Sequence, residues 1–326
     1  MKDTKRPWIT IQDISWLLYL YPVRLMARIC PFVILWFEPL RLKWSLLLWK
    51  GIQERLGKAM NKALGRVDDA HINSIVSQYL RLFLERIVDD LFLDELAHQL
   101  VSSEKVSFRG VEYLQQALDQ KRGVLLASGH FFASHLAKGI LSKRGFPILS
   151  VRHKEPPFPD MGKLGERILT EKYMRFLHGV LRDEVYVQDK DCSLKILHRL
   201  RQGGLVNILF DAQFAAQLIP VPFLGRTHSF PVTFLRLCQV AGSPLVPFWF
   251  SGDRRQVEIE FELPINLAET DTEEVLKSLV GRLEKRILAR PEQYELWIDE
   301  YWFPSGFQET DFQETDGRCK LNLSRP

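Results

Sequence analysis

The chain has 326 residues, of which 46% are hydrophobic and 26% charged, a composition that excludes a disordered protein and suffices for one large domain or two modest ones. The formal net charge of +4 is small for this length and argues against a nucleic-acid partner. The cysteines lack CxxC spacing, which argues against a zinc ribbon or a disulfide framework; they are Cys30, Cys192, Cys238 and Cys319.

The first segment, residues 1–66, is basic and aromatic. It contains twelve Lys and Arg residues against four acidic ones, a net charge of +8. Between positions 14 and 49 its apolar runs are interrupted by charges, and none reaches the roughly 18 to 20 uncharged residues that a spanning helix needs. This pattern predicts helices that lie on an anionic membrane. A buried helical hairpin and a single tilted span stay open as alternatives.

The remaining chain alternates between strand-like and helix-like patterns. Apolar residues at helical spacing predict a helical layer over 72–101. Strands are predicted over 106–110, 123–128, 147–152, 185–188, 205–211, 244–250 and 256–263, and helices over 111–119, 161–180, 193–201 and 272–289. This alternation predicts one α/β domain over 67–304, with a central, mostly parallel sheet flanked by helices. Residues 305–326 carry little apolar content after a duplicated FQETD pentad, which predicts a mobile tail.

One strand ends in a motif that could carry chemistry, Leu125-Leu126-Ala127-Ser128-Gly129-His130-Phe131. Sheets of this class place their sites at the carboxyl ends of strands, and a histidine there can act as a general base. Taken alone, His130 could equally be a capping or packing residue. The sequence has no GxSxG elbow, no GxxxxGK[ST] loop and no GxGxxG fingerprint, which argues against common alternatives for an α/β sheet.

Six short motifs follow one another between about residues 110 and 302. They are Gly129-His130-Phe131; Val151-Arg152; Gly203-Gly204 leading to Asp211-Ala212-Gln213; Val221-Pro222-Phe223-Leu224-Gly225-Arg226; Ala241-Gly242 before Val246-Pro247; and Pro291-Glu292-Gln293-Tyr294 before Trp297. In this order and spacing they resemble the lipid A lauroyl and myristoyl acyltransferases of the lysophospholipid acyltransferase superfamily.

The resemblance implies an acyltransferase domain, in which an acyl-carrier-protein or acyl-CoA thioester donates a fatty acyl group to a hydroxyl of a lipid A-like lipid or glycolipid. The family signature is a histidine followed, five positions later, by a carboxylate. His130 takes the base position, but His135 stands where the carboxylate is expected. Three explanations are open: Asp211, which also ends a strand, supports His130; the enzyme is slow or uses another acceptor; or catalysis is lost and lipid binding retained.

Four residues are candidates for substrate binding. The guanidinium of Arg152 suits a phosphate or a phosphopantetheine arm, unless it is simply a surface arginine. Arg226 is interpreted in the same way, with Gly225 allowing a tight turn, and Gln213 is a candidate for a polar contact. We expect no metal or other cofactor, because His130 and His135 lack a third ligand with convincing spacing.

The expected location is the cytoplasmic face of the inner membrane, with the protein peripheral, monotopic or held by one N-terminal span. An acidic carrier protein would suit the basic first segment as well as anionic lipid does. Two other functions stay open: a catalytically degenerate, lipid-binding accessory protein of the same fold, and a hydrolase that uses water as the acceptor.

Overall fold

The structure, a computed structural model, describes residues 7–10, 13–14, 43, 50–65, 68–152, 162–164, 167, 183–212, 217–268 and 270–298. Four sequence predictions lie wholly or largely outside these residues: the membrane-associated helices within 14–49, the helix over 161–180, the contacts of Gln213 and the tail over 305–326. Within the described residues, none of the helices combines the length and the apolarity that crossing a bilayer requires.

A seven-stranded sheet forms the centre of the described structure. The described residues form nine strands, seven of them in this sheet: β1 (Val106–Arg109), β2 (Val124–Ser128), β3 (Ile148–Arg152), β4 (Asp183–Tyr186), β5 (Leu205–Leu209), β6 (Leu218–Phe223), β7 (Arg226–Pro231), β8 (Leu245–Asp253) and β9 (Gln256–Phe261). Their spatial order in the sheet is β1-β9-β8-β2-β5-β3-β4, while β6 and β7 form a separate antiparallel pair. Within the seven-stranded sheet, β8 and β9 form the one antiparallel pair of neighbouring described strands, and the other neighbouring pairs are parallel. The sheet is therefore mostly parallel, as predicted.

Strand β2 lies between β5 and β8, and all five of its residues are buried. A continuous run of apolar residues is typical of a parallel strand that is covered on both faces. Ser128, the last residue of β2, is paired in register with Leu209, the last residue of β5. The segments that leave these two strands therefore begin at the same edge of the sheet.

Eight described helices accompany the sheet: α1 (Lys50–Leu64), α2 (Asp69–Leu91), α3 (Leu93–Val101), α4 (Val111–Asp119), α5 (Ser134–Lys143), α6 (Cys192–Arg201), α7 (Thr233–Ala241) and α8 (Thr272–Ala289). The longest, α2, begins where the side chain of Asp68 accepts a hydrogen bond from the backbone N–H of His71 at 3.0 Å. Helix α5 packs against α3, and α2 packs against α1 and against the turn at Pro291–Gln293. The α/β architecture with flanking helices is thus confirmed.

Within the described residues, the predicted elements form with small shifts at their ends. Helices 111–119 and 272–289 have the predicted bounds, whereas the strand expected over 185–188 forms over Asp183–Tyr186. The hairpin of β6 and β7 was not predicted, because β6 contains two prolines, which usually argue against a strand. This pairing lies outside the main sheet, where the missing N–H groups leave no gap in the central ladder.

Candidate active site

His130 lies in the short connection between β2 and α5, and its backbone is held from the C-terminal part of the chain. Its carbonyl accepts a hydrogen bond from the N–H of Glu295 at 2.9 Å, and the N–H of Phe132 donates to the carbonyl of Gln293 at 3.1 Å. Phe131 and Tyr294 form the antiparallel bridge between the two segments. The connection is therefore anchored by a strand-like pairing that is far away in sequence.

Asp211 contacts His130 at two points. One carboxylate oxygen, Oδ2, accepts the backbone N–H of His130 at 2.7 Å, and the other, Oδ1, is 2.5 Å from the ring nitrogen Nδ1. Asp211 is fully buried, whereas the His130 side chain is 22% exposed. Because a carboxylate only accepts hydrogen bonds, this contact assigns the proton to Nδ1. The other ring nitrogen, Nε2, has no hydrogen-bond partner among the described residues.

Gly129 makes this close approach possible. A Cβ atom at this position would lie 3.0 Å from Oδ2 of Asp211 and would clash with the side chain of Leu283 on α8. A side chain at position 129 would therefore have to displace the end of Leu283 and would press on the Asp211 carboxylate.

The charge of Asp211 also controls the titration of His130. Burial lowers the pKa of His130, but the Asp211 carboxylate and its hydrogen bond outweigh burial, and the pKa is raised above the ordinary value of 6.5. An adjacent carboxylate therefore favours the imidazolium form that a general base reaches during catalysis.

His135 has a different carboxylate partner. It lies in the first turn of α5, and its Nδ1 is 2.9 Å from Oδ1 of Asp90 on α2. Burial lowers the pKa of His135 to about 4 even though Asp90 opposes the shift, so its imidazole is neutral near pH 7. Of the two histidines, only His130 is therefore placed to carry a charge near pH 7.

A further group of ion pairs, which the sequence pattern did not predict, lies beside the two histidines. Arg86 of α2 pairs with the carboxylate of Glu295, and its Nε is 3.5 Å from Oδ2 of Asp90. The sequence carried one signal: Arg86 and Asp90 have opposite charges and lie four positions apart in a stretch with helical spacing, which allows an ion pair. The contribution of Glu295 had no local signal, because it depends on the long-range pairing with the His130 segment.

The candidate substrate-binding residues Arg152, Gly225 and Arg226 lie on other elements than His130 and Asp211. Arg152 ends β3, and its Nη1 is 2.5 Å from Oε1 of Glu184 on β4, a carboxylate that also accepts from the hydroxyl of Tyr186 at 3.1 Å. Gly225, with φ of +74°, forms the turn before Arg226 at the start of β7. Burial lowers the pKa of Arg226. Neither arginine hydrogen-bonds to His130 in the described structure.

Comparisons with known proteins agree on one family. The model of the bacterial lipid A biosynthesis acyltransferase family matches residues 12–303. A lipid A biosynthesis acyltransferase from Haemophilus influenzae is 22% identical over 198 residues, which are 60% of this chain and 58% of that protein, so the match spans little more than half of the curated relative.

One solved structure is also similar, the 1-acyl-sn-glycerophosphate (LPA) acyltransferase from Thermotoga maritima. The TM-score is 0.38 and the identity 12%, over 78% of this chain and 95% of that chain. A likeness of this size supports no conclusion about fold or function.

Proposed function

The chain belongs to the bacterial lipid A biosynthesis acyltransferase family, and on this basis we propose that it transfers a fatty acyl group from a thioester to a hydroxyl of a lipid or glycolipid. The donor is an acyl-carrier protein or acyl-CoA, and the acceptor is a lipid A-like molecule. The observation that carries the proposal is the two-point contact of Asp211 with His130, which leaves Nε2 without a partner among the residues that the structure describes, on a partly exposed ring.

In the proposed reaction, Nε2 of His130 accepts the proton of the acceptor hydroxyl while the oxygen attacks the thioester carbonyl. The tetrahedral intermediate then collapses, the C–S bond breaks, and the imidazolium returns the proton to the departing thiolate. Asp211 keeps the proton on Nδ1 and stabilises the transient imidazolium, as the orienting carboxylate does in a serine-protease triad. An ester and a free thiol are the products.

Asp211 can supply the negative charge that the family signature places at position 135, where this chain has a histidine. A neutral imidazole at that position brings no negative charge to His130, but Asp211 brings one at 2.5 Å. We propose that Asp211 is the supporting carboxylate. His135, bound to Asp90, then acts indirectly by fixing the first turn of α5 against α2.

Arg152 and the turn at Gly225 and Arg226 are proposed as contacts for the phosphate groups of donor or acceptor. Arg152 ends a strand of the same parallel sheet that presents His130, and its side chain is 17% exposed. The turn is bound to α8, because the N–H of Leu224 donates to Glu284 at 2.6 Å, and the preceding residue of α8, Leu283, lies close to Gly129. Gln213 is proposed as a further polar contact from the segment after Asp211.

The replacement at His135 favours one alternative, a catalytically degenerate lipid-binding or accessory protein. Such a protein would keep the fold and the lipid surface without turnover. Hydrolysis, with water taking the place of the acceptor hydroxyl, would use the same base. The intact contact between His130 and Asp211 supports a catalytic role over the accessory one.

For acyl transfer, His130→Ala is expected to abolish product formation, because it removes the group that takes the proton. Purified protein is incubated with lauroyl- or myristoyl-carrier-protein thioester and a panel of lipid A precursors and lysolipids, and acylated products are measured by mass spectrometry. His198→Ala, at an exposed histidine of α6, is the matched control and should retain activity. Equal turnover by the folded His130→Ala variant, or no transfer and no thioester hydrolysis by the unaltered protein, would support the accessory alternative.

For the supporting carboxylate, Asp211→Asn is expected to reduce kcat by about 10⁴, the loss that follows when an orienting carboxylate becomes an amide. In the unaltered protein kcat/KM should rise with pH, because the base must be deprotonated, with half-maximum above pH 6.5. In Asp211→Asn the half-maximum should move to lower pH, since the charge that opposes the effect of burial on the pKa of His130 is then removed. Asp191→Asn, at an exposed residue, is the control; a pH profile that is identical in Asp211→Asn and the unaltered protein would contradict this role.

For the phosphate contact, Arg152→Gln is expected to raise KM for the thioester donor roughly 10- to 100-fold with little change in kcat, the usual range for a lost charge-assisted hydrogen bond. Because this change leaves Glu184 buried without its cation, Arg152→Gln/Glu184→Gln serves as the folding control. An unchanged KM for donor and acceptor in both variants would contradict the contact.

We further propose that the basic first segment docks the protein on the cytoplasmic face of the inner membrane. Trp8, Ile9 and Ile14 are exposed apolar residues in this segment. The protein should float with vesicles that contain anionic lipid and fail to float with purely zwitterionic ones, and binding should weaken as salt rises. Flotation that ignores both salt and lipid charge would point instead to hydrophobic insertion or to one N-terminal span.

A further inference from the structure

Glu295 is fixed beside His130 by three contacts. Its N–H donates to the carbonyl of His130 at 2.9 Å, and its own carbonyl accepts from the hydroxyl of Tyr79 at 2.7 Å. Its carboxylate pairs with the guanidinium of Arg86, and the Glu295 side chain is only 23% exposed. Backbone and side chain are therefore both held in one place next to the candidate base.

The contacts of Glu295 continue to the second histidine. Arg86 extends from Glu295 to Asp90, and Asp90 holds His135 at 2.9 Å. Burial raises the pKa of Glu295, but Arg86 first and then His130 outweigh it, and the pKa is lowered. Glu295 is thus connected to His130 through the backbone and to His135 through Arg86 and Asp90.

We propose that Glu295, held by Arg86, is a positioning residue for His130, and that it supplies from the C-terminal part of the chain a negative charge that the family signature places at position 135. The inference rests on the proposed function, because it assigns the purpose of the charge to His130 as base. In this arrangement two acidic residues contact His130, Asp211 through its carboxylate and Glu295 through its backbone N–H. Asp211 binds the ring at Nδ1, and Glu295 acts through space and through the backbone of His130.

The titratable and charged groups around His130 come from four parts of the fold. Asp211 follows β5, Glu295 begins the last described turn and Arg86 projects from α2. His135, on α5, is neutral near pH 7. The two carboxylates favour the imidazolium form and Arg86 opposes it, so Glu295 and Arg86 have opposite effects on the same ring.

These opposite effects can be tested, because a merely structural role for Glu295 would not shift the midpoint of the His130 titration in opposite directions in the two variants. Glu295→Gln should lower the midpoint of the His130 titration by about one pH unit, and Arg86→Gln should raise it, following the usual effect of one nearby charge. The midpoint is measured in two ways: from the pH dependence of kcat/KM, and from the His130 ring signal in NMR, assigned with His130→Ala. Glu292→Gln is the control, because that carboxylate pairs with Arg290 on the preceding turn.

A rescue variant tests whether a carboxylate at position 135 can replace the charge of Glu295. His135→Glu restores the family signature, and Asp90→Asn removes the like charge beside position 135. Glu295→Gln/His135→Glu/Asp90→Asn should therefore return the midpoint toward the unaltered value. Thermal unfolding of each variant confirms that it is folded.

The outcomes separate this inference from the proposed function. Opposite shifts in Glu295→Gln and Arg86→Gln support the inference, and the NMR midpoint reports them without turnover. Transfer that depends on His130, together with midpoints that coincide in Glu295→Gln, Arg86→Gln and the unaltered protein, would overturn the inference and leave the proposed function standing. Failure of the unaltered protein to transfer or hydrolyse acyl groups contradicts the proposed function instead.

Discussion

The contact between the Asp211 carboxylate and His130 is the constraint on which the rest of the site depends. A fully buried carboxylate is costly unless its oxygens are satisfied, and here one oxygen binds the backbone and the other the ring of the same residue. The bond requires β2 and β5 to end at the same level, which their parallel register provides. The glycine at position 129 favours the bond, since a side chain there would press on the carboxylate. Sheet register, loop shape and ring orientation are thus coupled through one aspartate.

Around this contact the protein keeps several charges in partly or fully buried positions. Arg86 lies between the carboxylates of Asp90 and Glu295, and Arg152 pairs with Glu184. Buried ion pairs contribute little net stability, because desolvation offsets their attraction. Lys138, one turn beyond His135, is 3% exposed, and its pKa is lowered to about 7 by burial first and by Arg152 next. Such a concentration of shifted groups beside one histidine is typical of functional sites, and this supports an enzyme over an accessory protein.

The histidine at position 135 is better understood together with its neighbours than as an isolated loss. A carboxylate at this position would lie beside Asp90, and two like charges in a buried place repel each other. A neutral imidazole instead completes a hydrogen bond with Asp90 and leaves Arg86 to pair with Glu295. The replacement is therefore compatible with a site in which the negative charge reaches His130 from other parts of the chain.

The sequence by itself determined the α/β class, most strands and helices, His130 as the candidate base and Asp211 as one of its possible partners. These features depend on local periodicity and on motifs that lie within a few residues. The proline-containing hairpin, the bond of Asp90 to His135 and the place of Glu295 were decided only by tertiary structure. Glu295 lies 165 positions after His130 in the sequence, and it reaches the site only because Phe131 pairs with Tyr294 across the fold. No local pattern encodes such a pairing, because its energy comes from contacts that exist only once the sheet and its helices have assembled.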